Sequence, residues 1–163
     1  MIRKATGEDK SAIFRIYRNA IVDMDSKGIF QWDEVYPNEE NVDRDICNGQ
    51  AYVYVDENTI KGVVVLNEHQ DKEYEDLHWQ YTGGKQLVVH RLCVDPRHQK
   101  NGIARQLMDY AEKYGVSAGY TSIRLDAFLD NARAWQLYEK LGYAKVGIVK
   151  FRKGLFYCYE KKL

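Results

Sequence analysis

The residues best suited to chemistry lie in one segment, Arg97-His98-Gln99-Lys100-Asn101-Gly102-Ile103-Ala104-Arg105. It separates an apolar stretch, Gln86 to Val94, from a run with helical spacing, Ile103, Leu107, Ala111 and Tyr114. The first amides of a helix have no intrahelical acceptor, and the helix dipole adds partial positive charge there. Gly102 and the small Ala104 let a bulky anion approach that backbone, while Lys100 and Arg105 put full charges at its rim. The expected ligand is a phosphate or pyrophosphate. A P-loop needs Gly-Lys-Ser/Thr, but Gly102 is followed by Ile103 and Ala104. A dinucleotide fingerprint needs several glycines directly after its strand, and here a single glycine follows after a spacer.

The rest of the chain supplies elements to position this turn. Residues 2–5 read as a short strand, and Thr6 with Asp9 starts a helix carrying Ile13, Ile16, Tyr17, Ala20 and Met24, stopped by Gly28. An aromatic-rich loop spans 29–37, and Asn38 caps a short second helix bearing Val42 and Ile46. A hairpin follows, Ala51 to Asp56 and Thr59 to Leu66 around Glu57-Asn58, then a long polar loop at 67–85. Residues 86–94 read as a central strand ended by Asp95-Pro96. The third helix is expected to close at Gly115, and 121–127 to form a strand. Asn131 caps a helix bearing Ala134, Trp135, Tyr138 and Leu141, and two strands joined by a Lys153-Gly154 turn complete the chain. The order is β-α-α-β-β-β-α-β-α-β-β, with a parallel crossover from residue 86 to residue 127. An α/β fold with a mixed sheet and helices on both faces follows, as one domain over 1–163.

The spacing Gln99-x-x-Gly102-x-Ala104 resembles the coenzyme A signature of the GNAT superfamily of N-acetyltransferases, Gln/Arg-x-x-Gly-x-Gly/Ala. The preceding His90-Arg91-Leu92-Cys93-Val94-Asp95-Pro96 is also family-like. Asn131 to Tyr143 is similar to a later family pattern, Asn-x-x-Ala-x-x-x-Tyr-x-x-x-Gly-aromatic, and the two stand in the family's order. The likeness covers essentially the whole chain and implies a GNAT-like fold whose central parallel strands splay apart.

By that resemblance, the backbone of Gln99, Lys100, Asn101, Gly102, Ile103, Ala104 and Arg105 holds the pyrophosphate of acetyl-CoA, and Leu92 and Val94 pair with its pantetheine arm. Asn131 bonds the same arm. Tyr138 stands seven residues on, about two helical turns, and shares its face. Its implied role is hydrogen-bond donor or general acid to the departing thiolate, which suits a phenol neutral at pH 7. Many family members carry a glutamate base on the strand before the signature. Leu87 to Arg91 contains none, and His90 is the residue there that titrates near neutrality. Strict alternation puts His90 on the face of Leu92 and Val94 and Cys93 on the other, where it reads as a packed thiol. Glu68 and a water chain to backbone carbonyls are further candidates for the base. The acceptor site is expected from the two loops, with Trp32, Tyr36, Tyr74, Trp79 and Tyr81 as an aromatic wall and Asp33, Glu34 and Glu73 for a cationic amine.

The composition narrows the partners. Lys plus Arg and Asp plus Glu number 24 each, without the basic excess of a nucleic-acid binder or any attraction to anionic membranes. No apolar run of about 20 residues is present, and the N-terminal residues lack an apolar signal core, so the cytoplasm is the expected compartment. Three scattered cysteines and four scattered histidines show no metal-ligand spacing, and no metal is expected. The expected activity is transfer of an acetyl group from acetyl-CoA to an amine of a small molecule or peptide, by direct attack through a tetrahedral intermediate. A non-catalytic acyl-CoA sensor is the alternative. A homodimer stays open, since small members of the family often dimerise.

Overall fold

The computed structural model describes every residue, Met1–Leu163. Its strands are β1 (Ile2–Lys4), β2 (Ala51–Asp56), β3 (Thr59–Asn67), β4 (Lys85–Val94), β5 (Tyr120–Phe128), β6 (Ala144–Phe151) and β7 (Gly154–Lys162). Its helices are α1 (Lys10–Ser26), α2 (Glu39–Cys47), α3 (Ile103–Ser117) and α4 (Ala132–Lys140). The strands form a seven-stranded sheet in the order β1-β2-β3-β4-β5-β7-β6, the mixed α/β arrangement expected from the sequence. No helix is long and apolar enough to cross a membrane.

Two compact units partition the chain, Met1–Leu66 with His90–Tyr110 and Asn67–Val89 with Ala111–Leu163, so the divisions fall inside β4 and α3. In the first unit β1, β2 and β3 are antiparallel, with Arg3 opposite Val53 and Val53 opposite Val63. Ile13, Ile16, Tyr17 and Ala20, one stripe of α1, are buried with Val53, Val63 and Val65. The expected helix start forms: the Asp9 carboxylate accepts from the Thr6 amide at 2.8 Å and from the Arg3 guanidinium at 2.7 and 2.9 Å. In the second unit β5 is the axis. It pairs antiparallel with β7 from Ser122↔Lys162 to Phe128↔Phe156 and parallel with β4 only from Lys85↔Tyr120 to Val88↔Arg124.

Two expectations are corrected. Helix α3 runs through Gly115 to Ser117, and the left-handed stop is Gly119 at φ +82°. Gly115 is there for closeness: a Cβ at that position would lie 2.5 Å from Leu163 Cδ1 and 3.3 Å from Leu87 Cδ2. The last hairpin turns on Arg152-Lys153, one residue earlier than expected, because Gly154 already pairs with Phe151.

Glycine normally costs a helix about 1 kcal/mol relative to alanine. If closeness governs, Gly115→Val should nevertheless destabilise the protein by about 1–3 kcal/mol in urea unfolding through overpacking. A stabilised variant would show that the helix does not need the small residue.

Candidate active site

Strand β4, which leads to the turn before α3, is irregular at one residue. Arg91, in the middle of β4, takes φ +48°, a left-handed conformation that a bulky residue adopts only when its surroundings impose it. Its guanidinium supplies the anchor. Nε and Nη2 donate to the two Asp45 oxygens at 2.9 and 2.6 Å, and Nη1 donates to the Tyr36 hydroxyl at 2.6 Å. Both charged side chains are buried, 8% and 4% exposed, so the pair is made in a medium where screening is weak. Burial works against the Arg91 charge, but Tyr36 and Asp45 hold its pKa above the ordinary arginine value.

This break removes the premise that placed His90. Period-two alternation does not run across a left-handed residue, so it cannot carry half-buried His90 to the face of Leu92 and Val94. Leu92 and Val94 are also half-buried, while Cys93 is packed in the core of its unit. Burial, then the nearby Asp95 charge, pushes the Cys93 thiol well above the ordinary range, so no thiolate nucleophile is available there.

Beyond β4 the chain is fastened before it turns. The Asp95 amide donates to the Lys61 carbonyl at 2.9 Å, and its buried carboxylate accepts from the Arg97 amide at 3.0 Å and the Arg97 Nη2 at 2.7 Å. Gln99 Nε2 lies 3.4 Å from the Val94 carbonyl, and Asn101 Nδ2 lies 3.3 Å from that of His98. Lys100 and Gly102 both have positive φ, +67° and +74°, and a Cβ on Gly102 would meet nothing within 4 Å. The first bond of α3 runs from the Gln106 amide to the Gly102 carbonyl at 3.0 Å, which leaves the amides of Ile103, Ala104 and Arg105 without intrahelical acceptors. No acidic residue stands in that first turn, whereas Arg105 does. A cation at the positive end of a helix dipole is unfavourable by about 0.3–1 kcal/mol, and a bound anion reverses that sign.

In the second unit, Asn131 caps α4 by accepting from the Ala134 amide at 3.3 Å. Tyr138 is 6% exposed, with the rings of Tyr143 and Tyr159 at 6.1 and 6.2 Å. No bond to the protein is made by its hydroxyl, which is not sealed from solvent, unlike the buried and unpartnered Tyr159 hydroxyl beside it. Burial, then the Asp126 charge, raises its pKa far enough to keep it protonated at any physiological pH. The sequence marks 121–127 only as a strand and does not single out Asp126. The signal available was a carboxylate in a strand whose other face is Ile123, Leu125 and Ala127. Its Oδ2 accepts from the Tyr74 hydroxyl at 2.6 Å.

The aromatics expected to wall an acceptor site are mostly committed to holding their loops. Trp32 is a core residue, 8% exposed and edge-to-face with Tyr17 at 5.6 Å. Tyr36 is bound to Arg91, and Asp33 accepts from the Val35 and Tyr36 amides within its own turn. Trp79 donates from Nε1 to the Tyr74 carbonyl at 2.8 Å and lies under the Arg124 guanidinium at 4.1 Å. Arg124 also donates to Gln70 and to the Tyr81 carbonyl, and Glu160 accepts from the Gln80 and Tyr81 amides. Strands β5 and β7 thus pin the loop at both edges.

The sequence pattern of the Acetyltransferase (GNAT) family matches residues 16–143. The chain belongs to this family. Over 146 residues it is 23% identical to the uncharacterized N-acetyltransferase YesJ of Bacillus subtilis (strain 168), covering 88% of this chain and 81% of that one. A shorter match, 32% identity over 63 residues, relates it to the streptothricin acetyltransferase of Escherichia coli, with 39% of this chain and 36% of that protein covered. Among solved structures, a GNAT family acetyltransferase from Streptococcus agalactiae 2603 superposes with a TM-score of 0.87 at 22% identity, over 100% of this chain and 95% of that one. One from Listeria monocytogenes 4b F2365 gives 0.79 at 23%, over 100% and 94%. These likenesses establish the GNAT fold.

The Arg91–Asp45 pair yields a stability test. Asp45→Ala strands a buried guanidinium and should cost about 3–5 kcal/mol in denaturant unfolding. A loss under about 1 kcal/mol would mean that the pair is screened like a surface one.

Proposed function

We propose that this protein is an acetyl-CoA-dependent N-acetyltransferase acting on the primary amine of a small molecule or peptide. The observation that carries this reading is the unpartnered Tyr138 hydroxyl, a buried, protonated donor on the helix that follows β5. The α3 turn supports it: open amides at Ile103 to Arg105, two cations and no acid suit a diphosphate.

In this proposal the amides from Gln99 to Arg105 grip the pyrophosphate, with Lys100 and Arg105 neutralising it. Leu92 and Val94 pair with the pantetheine arm as an added strand, and Asn131 bonds the same arm. The thioester lies past the last rung of the β4–β5 ladder, where a strand amide polarises its carbonyl. The amine attacks the carbonyl carbon, the tetrahedral intermediate collapses, the C–S bond breaks, and the Tyr138 hydroxyl gives its proton to the sulfur. His90 is the base suggested by the sequence. Trp32, Tyr36 and Trp79 act on the acceptor side by keeping their loops rigid.

Thiol release from acetyl-CoA against a panel of amines is the direct assay, and release that does not depend on added amine would leave only an acyl-CoA-binding module. Tyr138→Phe should lower kcat about 100-fold or more with little change in acetyl-CoA affinity. Equal turnover would remove its acid role. Gly102→Val, strained at a positive φ and projecting into the open turn, should weaken acetyl-CoA binding about tenfold or more in calorimetry. Undiminished affinity would contradict the placement of the diphosphate.

A further inference from the structure

We propose that Asp126 is the proton acceptor for the incoming ammonium, with Tyr74 as the residue that positions it. This rests on the acetyltransferase reading above and replaces His90 in that role.

Three aspartates are buried, and each has an arginine; Asp126, half-buried on β5, does not. Asp9 faces Arg3 at 2.7 Å, Asp45 faces Arg91 at 2.6 Å, and Asp95 faces Arg97 at 2.7 Å. Asp126 has no cation. The Tyr74 hydroxyl donates to Oδ2 at 2.6 Å, and Oδ1 is not sealed from solvent. The groups around it are Tyr74 and Asp71 from the 67–85 loop, Tyr138 from α4 and Cys158 from β7. None of these is positive at any pH: burial raises both phenols and the thiol, and Asp71 repels. A carboxylate so placed lacks its counter-ion, and a primary ammonium supplies one.

Its position in the sheet fits. Asp126 lies two residues past Arg124, the last β5 residue paired with β4, while its other edge remains paired with β7 at Cys158. The Tyr74 bond fixes the carboxylate from the side and leaves the second oxygen for a ligand. Burial raises the carboxyl to about 6, against the Tyr74 bond, which favours the ionised form. Such a group is mostly ionised at pH 7 and still basic enough to accept a proton. One unit then holds a carboxylate ready to receive a proton and a phenol, Tyr138, kept ready to give one.

The protons balance. An alkylammonium is the dominant form of the acceptor at pH 7. It passes one proton to Asp126 Oδ1 and its freed electron pair forms the C–N bond. When the C–S bond breaks, Tyr138 protonates the sulfur. The second proton on nitrogen returns to the Tyr138 phenolate, and Asp126 releases its proton to solvent. The products are the amide, the free thiol and one proton.

The test is the pH profile of kcat/KM with the best amine of the panel, for the full chain, Asp126→Asn, Asp126→Glu, Tyr74→Phe and His90→Gln. Acetyl-CoA affinity is measured for each. The unaltered protein should show a rising limb centred near pH 6. Asp126→Asn should lose about 100-fold or more together with that limb, at unchanged acetyl-CoA affinity. Asp126→Glu should restore part of the activity and the limb. Tyr74→Phe should move the limb to higher pH, because removing its bond disfavours the carboxylate. That shift is the deciding readout if the asparagine variant does not fold. An Asp126→Asn enzyme that keeps rate and limb, or a limb that disappears in His90→Gln instead, overturns the proposal. Loss of acetyl-CoA binding by the unaltered protein overturns the underlying reading as well.

Discussion

Strand β4 carries one left-handed residue in its middle, and a buried ion pair holds it there. Arg91 holds a left-handed backbone that its side chain would ordinarily resist, and the Asp45 carboxylate with the Tyr36 hydroxyl fixes the guanidinium on the core side. The segment that follows inherits its direction from that break. Leu92 and Val94 leave it as half-buried strand residues, and Asp95 fastens the strand end to the Lys61 carbonyl. The turn then opens three helical amides at the head of α3. An ion pair this well buried contributes little net stability against an apolar alternative, so its value here lies in specifying one geometry.

The same accounting separates structural charge from chemical charge. Glu160 receives two loop amides, and Asp9, Asp45 and Asp95 each receive a guanidinium. Cys93 and Cys158 are buried thiols held protonated by desolvation. Arg124 gives Nη1, Nη2 and its flat face to one loop, while its buried Nε has no partner. Among the groups that make no bond to the protein are the Tyr138 hydroxyl and the first amides of α3, beside the sealed Ser122 Oγ, Arg124 Nε and Tyr159 hydroxyl.

Much of this was legible in the sequence because it is written in local chemistry. Asn38 and Asn131 cap their helices by side-chain bonds, Thr6 and Asp9 start another, and Glu57-Asn58 turns with both residues at positive φ. The Gln99-x-x-Gly102-x-Ala104 spacing located the turn for the same reason, since a glycine before a helix is a backbone statement. Non-local packing was not legible. Gly115 looks like a helix stop until Leu163 and Leu87 are seen against it. Trp32 and Tyr36 look like an exposed wall until Tyr17 and Arg91 are seen holding them. The break at Arg91 is invisible because arginine has no propensity for it; the cause is Asp45, forty-six residues earlier in the chain. Asp126 reads as an ordinary polar position of a strand until the absence of a cation around it is known.

The most direct test is a structure of the protein with acetyl-CoA. The diphosphate oxygens should lie about 3 Å from the amides of Ile103, Ala104 and Arg105, with the sulfur in reach of the Tyr138 hydroxyl. Coenzyme bound elsewhere, with those amides turned to solvent and Tyr138 untouched, would contradict the account.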